Sequence, residues 1–236
     1  MARVRSLIFV GLFYLWFGAY TLIMTPILLG PRRWLVGPFK LHGAVTTILL
    51  RLTCGIRVEY RGLENLPAGP LLVAAKHQCM FDTIGPVQVF ADPAYVLRDS
   101  LLKLPVYGWY AVKAEMIPID REGHAGALRK MLAAAKAAIA QSRQVVIFPE
   151  GTRLPAGEKV DYKPGVAALY RALGVPCALM ATNSGEHWPP HGLVRTPGLI
   201  VYEFLEPIPP GLDRRAFMQV LETRLEAGSR ALLGAK

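Results

Sequence analysis

The chain has 236 residues, of which 53% are hydrophobic and 19% charged, and its formal net charge is +10 at pH 7. This length suits one domain with a real hydrophobic core, and the high apolar fraction excludes a disordered chain. Three cysteines at widely spaced positions, with no C-x-x-C pair, exclude a disulfide scaffold and a cysteine-based zinc site and fit a reducing compartment.

The positive charge is concentrated near the N-terminus. Residues 1–61 hold eight Lys and Arg side chains but a single acidic one, so this segment carries seven of the ten net positive charges. A nucleic-acid-binding domain normally spreads its basic residues over a polar surface. Here they flank apolar runs, which is typical of a segment that contacts a membrane, and no nucleic-acid partner is expected.

The first predicted elements are an apolar helix and an amphipathic helix. Residues 7–30 contain no charged side chain, and about 20 apolar residues suffice to cross a hydrocarbon core. The run is long for a cleaved signal peptide, and no A-x-A site follows it. Residues 34–54 form an amphipathic pattern, which fits a second helix at the membrane interface or an ordinary core-packed helix. We predict a membrane hairpin over residues 1–55 that either spans the bilayer or enters one leaflet and returns.

The rest of the chain, residues 56–236, alternates between apolar β-rich runs and helical patterns. Strands are predicted at six runs: 71–75, 95–97, 116–119, 145–148, 175–181 and 199–204. Helices are predicted at four segments: 83–90, 126–141, 165–173 and 213–233. This alternation predicts an α/β fold in which helices flank a mixed central sheet.

A histidine and an aspartate follow the first of these strands. His77 comes two residues after an apolar run, and Asp82 follows five residues later, far enough for a turn to bring it back beside the ring. A carboxylate that accepts from one imidazole nitrogen fixes the tautomer and leaves the other nitrogen free as a base. Such a pair is also a common structural hydrogen bond.

Two more apolar runs end in groups suited to an anion. One ends in Asp120 and Arg121, which places a guanidinium at the sheet edge or forms an exposed ion pair. The other is followed by Pro149 and then by four candidate residues: Glu150, Gly151, Thr152 and Arg153. A backbone N–H, a hydroxyl and a guanidinium fork together suit a phosphate, whereas Glu150 is better suited to holding a nearby Arg or the loop.

Together these segments, in this order and spacing, resemble the lysophosphatidic acid acyltransferases of the glycerolipid acyltransferase family, bacterial type. The family's H-x4-D motif maps onto His77 and Asp82, and its phosphate-binding Arg maps onto Arg121. Its E-G-T-R motif maps onto residues 150–153, as part of the acceptor-phosphate site. A frequent K-x-E-L stretch reads Arg98-Asp-Ser-Leu here, so Arg98 is a secondary candidate.

The resemblance implies that residues 56–236 form an acyltransferase domain that makes phosphatidic acid from 1-acyl-glycerol-3-phosphate. The acyl donor would be a thioester, either acyl-CoA or acyl carrier protein, with no metal and no other cofactor. His77 would act as general base and Asp82 would orient it. Because the base must be neutral, activity is expected to fall in acid. The implied location is the bacterial inner membrane, with the active site on the cytoplasmic side.

Three other interpretations remain open. The acceptor could be another lysophospholipid or glycerol-3-phosphate. Cys79, two residues after His77, could form a Cys–His pair in a membrane-bound hydrolase, although this leaves the arginine motifs without a role. The chain could also be a non-enzymatic protein that binds membranes through its basic hairpin.

Overall fold

The computed structural model describes residues 1–120 and 124–235. The N-terminal hairpin consists of α1 (Ala2–Met24) and α2 (Val36–Leu49). A 3-10 turn with Pro26 near its start follows α1, because proline cannot donate the hydrogen bond that continues an α-helix. A π-helical turn extends α2 to Cys54, where Gly55, with φ of +69°, ends it in a left-handed conformation.

The remaining described chain alternates strands with helices. The strands are β1 (Ile56–Arg61), β2 (Leu71–Ala75), β3 (Pro93–Arg98), β4 (Ile117–Ile119), β5 (Gln144–Ile147), β6 (Cys177–Thr182) and β7 (Gly198–Ile208). The helices are α3 (Tyr107–Lys113), α4 (His124–Ala140), α5 (Gly165–Leu173), α6 (Ser184–His187) and α7 (Arg214–Ala231). The α/β prediction with a mixed sheet flanked by helices is confirmed.

The strands of the described chain form one sheet in the order β1-β7-β6-β2-β5-β3-β4. Neighbouring strands are parallel except for the β6–β7 pair, which is antiparallel. The C-terminal ends of β2, β3, β4, β5 and β6 therefore meet at one edge of the sheet. We call this the carboxyl edge, and it is where ligands bind in open α/β sheets.

Helices cover both faces of the sheet. In β2 the side chains alternate between the two faces, with Leu72 in the core under α4, α5 and α7, and Leu71 in the core under the hairpin. Because β2 is buried on both faces, its sequence is a continuous apolar run rather than an alternating one. Helix α3 lies beside the hairpin, where Tyr110 packs near Leu35 and Met24.

The hairpin packs on the α/β part of the chain. Phe9 and Phe13 of α1 share a hydrophobic core with Phe81, and Arg32 forms an ion pair of 2.8 Å with Asp92, just before β3. Residues 2–29 are the one helical stretch in the described chain that is long and apolar enough to cross a membrane. The division into residues 1–55 and 56–236 stays a prediction, since the two parts share one core.

The elements expected from the sequence differ from the structure in several places, and helix α3 is among those not predicted. The helix predicted at residues 83–90 is wrong: two 3-10 turns, Met80–Thr83 and Pro86–Gln88, stand there. Gly85 packs against the Phe81 ring and Pro86 removes a donor, so a regular helix is interrupted. Strand β1 was not predicted, because its sequence IRVEYR alternates apolar with charged residues at the edge of the sheet.

Candidate active site at the carboxyl edge

The structure brings His77 and Asp82 together. His77 lies two residues beyond the end of β2, and a 3-10 turn, Met80–Thr83, returns the chain so that Nδ1 of His77 lies 3.1 Å from Oδ2 of Asp82. The carboxylate is fully buried, whereas the imidazole side chain is 16% exposed. The ring stacks on Phe148, which follows β5, with ring centroids 4.0 Å apart. The ring is therefore held from two directions.

Asp82 accepts hydrogen bonds on both oxygens. Oδ2 accepts from the backbone N–H groups of Gln78 (2.6 Å) and Cys79 (2.8 Å) as well as from His77. Oδ1 accepts from the Ser184 hydroxyl (2.6 Å) and the Tyr202 hydroxyl (2.9 Å). Burial alone raises the pKa of Asp82, but the contacts with His77, Cys79 and Ser184 outweigh it, so the pKa is lowered.

These bonds determine which imidazole nitrogen can act as a base. An ionised carboxylate only accepts hydrogen bonds, so Nδ1 of His77 carries the proton that faces Asp82. In the neutral ring Nε2 then holds the lone pair, and no described residue bonds to it. When the ring is neutral, this arrangement leaves one oriented nitrogen free to take a proton.

The segment 150–153 lies against His77. The Gly151 N–H donates to the Phe148 carbonyl, closing a turn in which Gly151 has φ of +71°, a conformation that glycine tolerates. The Leu154 N–H donates to the His77 carbonyl over 2.9 Å. Residues 150–153 are therefore tied to the histidine at both ends, through Phe148 and through Leu154.

Within this segment, Thr152 and Arg153 are exposed. Arg153 makes no hydrogen bond or ion pair with any described residue, so its guanidinium is available for an anion. Arg98, at the C-terminal end of β3, is also exposed and lies at the same edge, in register with Ile119 of β4. Arg121 lies outside the described residues, one position beyond Asp120.

Glu150 is placed differently from the phosphate-binding expectation for residues 150–153. Its side chain is buried, and Oε1 lies 2.9 Å from Nζ of Lys76 and 3.4 Å from the backbone nitrogen of His77. Burial raises the pKa of Glu150, and the opposing effect of the Lys76 ammonium does not cancel this rise. Glu150 thus holds the loop through a lysine rather than an arginine, and its buried carboxylate faces that ammonium.

Sequence reasoning missed the residues that brace the site. Lys76 also bonds to Glu226 of α7 (2.7 Å), whose Oε1 accepts from the Tyr162 hydroxyl. Ser184, at the start of α6, and Tyr202, in β7, complete the shell of Asp82. A lysine directly after an apolar strand was the signal for the first group, because a buried cation needs a partner. Nothing local marked Tyr202, which lies 120 positions from Asp82.

Cys79 does not have the environment of a nucleophile. Its side chain is fully buried, and its Sγ donates to Oδ1 of Asp82 over 3.5 Å. Burial, followed by the charge of Asp82, raises the pKa of the thiol well above its ordinary value. Because the thiolate is the reactive form, this environment argues against the Cys–His hydrolase.

Comparison with known proteins agrees with this geometry. A family model described as acyltransferase matches residues 57–181, which include His77, Asp82 and residues 150–153. A 1-acyl-sn-glycerol-3-phosphate acyltransferase of Pseudomonas aeruginosa is 36% identical over 152 residues, 64% of this chain and 59% of that protein. The alpha enzyme of that name from Mus musculus is 33% identical over 132 residues, 55% of this chain and 46% of that protein. The chain thus spans about half the length of these relatives.

One solved structure resembles the whole fold. The LPA acyltransferase of Thermotoga maritima superposes with a TM-score of 0.81, covering 100% of both chains at 22% identity. At that identity the likeness establishes the fold. The family model, in contrast, matches more than half of the sequence, including the His77–Asp82 pair and the loop beside it. The chain therefore belongs to the acyltransferase family.

Proposed function

We propose that this protein transfers a fatty acyl group from a thioester to the free hydroxyl of 1-acyl-glycerol-3-phosphate, which yields phosphatidic acid. One observation carries the proposal: an imidazole oriented by Asp82 and an arginine with no partner among the described residues lie on segments joined by the 2.9 Å bond between Leu154 and His77. Relatives that share this region are named for the same reaction, which supports the choice of acceptor.

In the proposed reaction His77 acts as general base. Nε2 takes the proton from the acceptor hydroxyl while the hydroxyl oxygen attacks the thioester carbonyl. Asp82 stabilises the imidazolium that forms. As the C–S bond breaks, the imidazolium returns the proton to the leaving sulfur, so the products are an ester and a free thiol. The substrate supplies the nucleophile, and the step needs neither an enzyme nucleophile nor a metal or other cofactor.

The acceptor phosphate would be held beside the base. Arg153 supplies a guanidinium fork, and Gly151 and Thr152 supply a backbone N–H and a hydroxyl. Arg98, which lies at this edge, is proposed as a further cation for the phosphate, and so is Arg121, on the resemblance to the family's motif. Holding the phosphate a glycerol's length from Nε2 turns the attack into an effectively unimolecular step, which can lower the barrier by several kcal/mol, up to about 7–11 kcal/mol.

The proposed location is the cytoplasmic face of the inner membrane. The acceptor and product carry acyl chains that stay in lipid, whereas the donor, acyl-CoA or acyl carrier protein, is reached from the cytoplasm. The basic residues around the hairpin favour an anionic leaflet, by about 1 kcal/mol for each residue near the surface. Three buried free cysteines fit a reducing compartment.

The test is acyl transfer by the purified full chain, from a labelled acyl thioester to each of three acceptors in detergent. We expect labelled phosphatidic acid from 1-acyl-glycerol-3-phosphate, with a higher kcat/KM than for glycerol-3-phosphate or a lysophospholipid with a larger head group. A higher kcat/KM for either of those two compounds would make that compound the acceptor instead. Transfer to none of them would overturn the proposal, and loss of thioester turnover in Cys79→Ser would support the hydrolase.

A further inference from the structure

Exposed apolar side chains are unevenly distributed over the described chain. Beyond residue 54, eight large hydrophobic side chains are exposed, and four of them fall between residues 104 and 112: Leu104, Tyr107, Trp109 and Val112. Trp109 is 58% exposed and Val112 is 61% exposed. They lie three positions apart on α3, so they point to the same side of the helix. Such a cluster marks an interaction surface rather than scattered surface residues.

This segment is held firmly, so its exposure is not that of a loose loop. Gly108 packs so closely that a Cβ there would overlap the Leu102 carbonyl oxygen. Val106, which precedes α3, has φ of +64°, a conformation that a β-branched residue rarely adopts. Tight packing on one side and strain at the start fix which face of α3 is outward.

The outward face of α3 continues the apolar surface of the hairpin. The Tyr110 hydroxyl donates to the Thr21 carbonyl of α1 over 2.7 Å, and Tyr110 packs with Leu35 near Met24. The neighbouring side chains of α1, Leu22 and Ile23, are themselves 76% and 67% exposed. The face of α3 thus lies on the same side of the sheet as the long apolar helix.

The charges around α3 indicate which partner fits this surface. Lys103 and Lys113 bracket the apolar side chains, and Arg98 precedes the turn Asp99–Lys103. An apolar face bordered by lysines is the pattern of a helix that lies in the interface of an anionic bilayer. The hairpin beside it likewise combines exposed apolar side chains with flanking basic residues, so both surfaces suit the same partner.

We propose that α3 and the turn before it form a second membrane-contacting element, which lays Leu104, Trp109 and Val112 into an anionic phospholipid bilayer beside the hairpin. The turn starts at the end of β3, so this contact holds the carboxyl edge, and with it His77, at the lipid surface. The hairpin is then one part of a wider membrane face. The proposal concerns binding and does not depend on acyl transfer.

The test uses the buried cysteines. Cys54, Cys79 and Cys177 are at most 1% exposed, so an introduced surface thiol in the full chain can be labelled selectively. Three single variants are labelled with an environment-sensitive fluorophore: Val112→Cys on α3, Leu15→Cys on α1 as a positive control, and Gln219→Cys on α7, on the other face of the sheet. They are mixed with phosphatidylglycerol–phosphatidylethanolamine vesicles, with and without doxyl-labelled lipid.

We expect the Val112→Cys probe to shift to the blue and to be quenched by doxyl lipid to within about twofold of the Leu15→Cys probe, while the Gln219→Cys probe is unchanged. A Val112→Cys probe that behaves like the Gln219→Cys probe while the Leu15→Cys probe is quenched would overturn the proposal. So would a blue shift that depends on protein concentration without vesicles, because it would mean that a second copy covers this face.

A second measurement does not need a label. The double variant Trp109→Ser/Val112→Ser is expected to bind the same vesicles at least about tenfold more weakly, since it removes two apolar side chains from the contact. Leu233→Ser, an exposed leucine after α7, is the matched control and is expected to leave binding unchanged. Far-UV circular dichroism checks that all variants are folded. Unchanged binding of the double variant would contradict the proposal.

Discussion

The two halves of the candidate site are built in opposite ways. Asp82 is fully buried and accepts hydrogen bonds on both oxygens, so the imidazole of His77 is oriented before any substrate arrives. Thr152 and Arg153 are exposed, and Arg153 has no partner in the part of the chain that the structure describes. The difference indicates a division of labour: the base is preorganised by the protein, whereas the arginine receives its partner from the acceptor.

Removing the base should abolish the function of the first half, the His77–Asp82 pair. His77→Ala is expected to lower kcat by about 10²–10⁴-fold, the usual contribution of a general base, with little change in KM for the acceptor. Steady-state kinetics with labelled thioester measures this, with circular dichroism and vesicle binding as controls. Retained turnover in His77→Ala would contradict His77 as the base, whereas no turnover even in the wild type would favour the non-enzymatic membrane protein.

Changing the orienting carboxylate tests preorganisation more finely. In Asp82→Asn the amide can donate to Nδ1, which places the ring proton on Nε2 and removes the free lone pair. We expect a fall in kcat of up to about 10⁴-fold with the acceptor KM nearly unchanged. Equal loss of kcat/KM through KM alone would show that Asp82 shapes the acceptor pocket instead. The folded state is checked by circular dichroism.

The ion pair between Lys76 and Glu150 joins the two halves, and breaking it should cost stability. Lys76→Met leaves Glu150 and Glu226 facing each other without a cation, and we expect a loss of about 3–5 kcal/mol in the free energy of unfolding in urea. Adding Glu226→Gln should recover part of this loss. The matched control is Lys159→Met. This variant removes an exposed pair with Glu222, which lies on α7 like Glu226, and should change stability little. Equal effects of both lysine variants would contradict a buried network.

The smallest expected effect is the acid sensitivity of the buried half. Because the pKa of Asp82 is lowered in the folded state, its carboxylate stabilises the fold above the ordinary aspartate pKa of about 3.9. That stabilisation is lost as the pH falls through the lower folded-state pKa. Urea unfolding from about pH 6 to about pH 3 should therefore show wild type losing stability relative to Asp82→Asn. Parallel pH profiles would contradict a lowered pKa.

The sequence predicted the parts of the site that are local. His77, Asp82 and residues 150–153 each follow an apolar run, and parallel strands bring such ends to one edge, where the structure has them. The spacing of five residues was also enough to anticipate the His77–Asp82 bond. These inferences worked because each one depends on a single strand and the turn after it.

The parts that failed depend on distant contacts or on ambiguous patterns. Tyr202 reaches Asp82 because β7 pairs antiparallel with β6, and no pattern near either residue reveals that pairing. Segment 83–90 is apolar enough for a helix, yet Gly85 and Pro86 end it. Helix α3 was missed because its exposed apolar face does not follow the pattern of a soluble amphipathic helix.

The most direct test of the division of labour is a selectivity ratio. The kcat/KM for 1-acyl-glycerol-3-phosphate is divided by that for the monoacylglycerol that lacks the phosphate, in wild type, Arg153→Ala and His77→Ala. If Arg153 binds the phosphate while His77 serves either acceptor, the ratio falls at least about tenfold in Arg153→Ala, consistent with loss of a charge-assisted bond. His77→Ala should lower both values and leave the ratio unchanged. A ratio that Arg153→Ala leaves at the wild-type value would contradict the account.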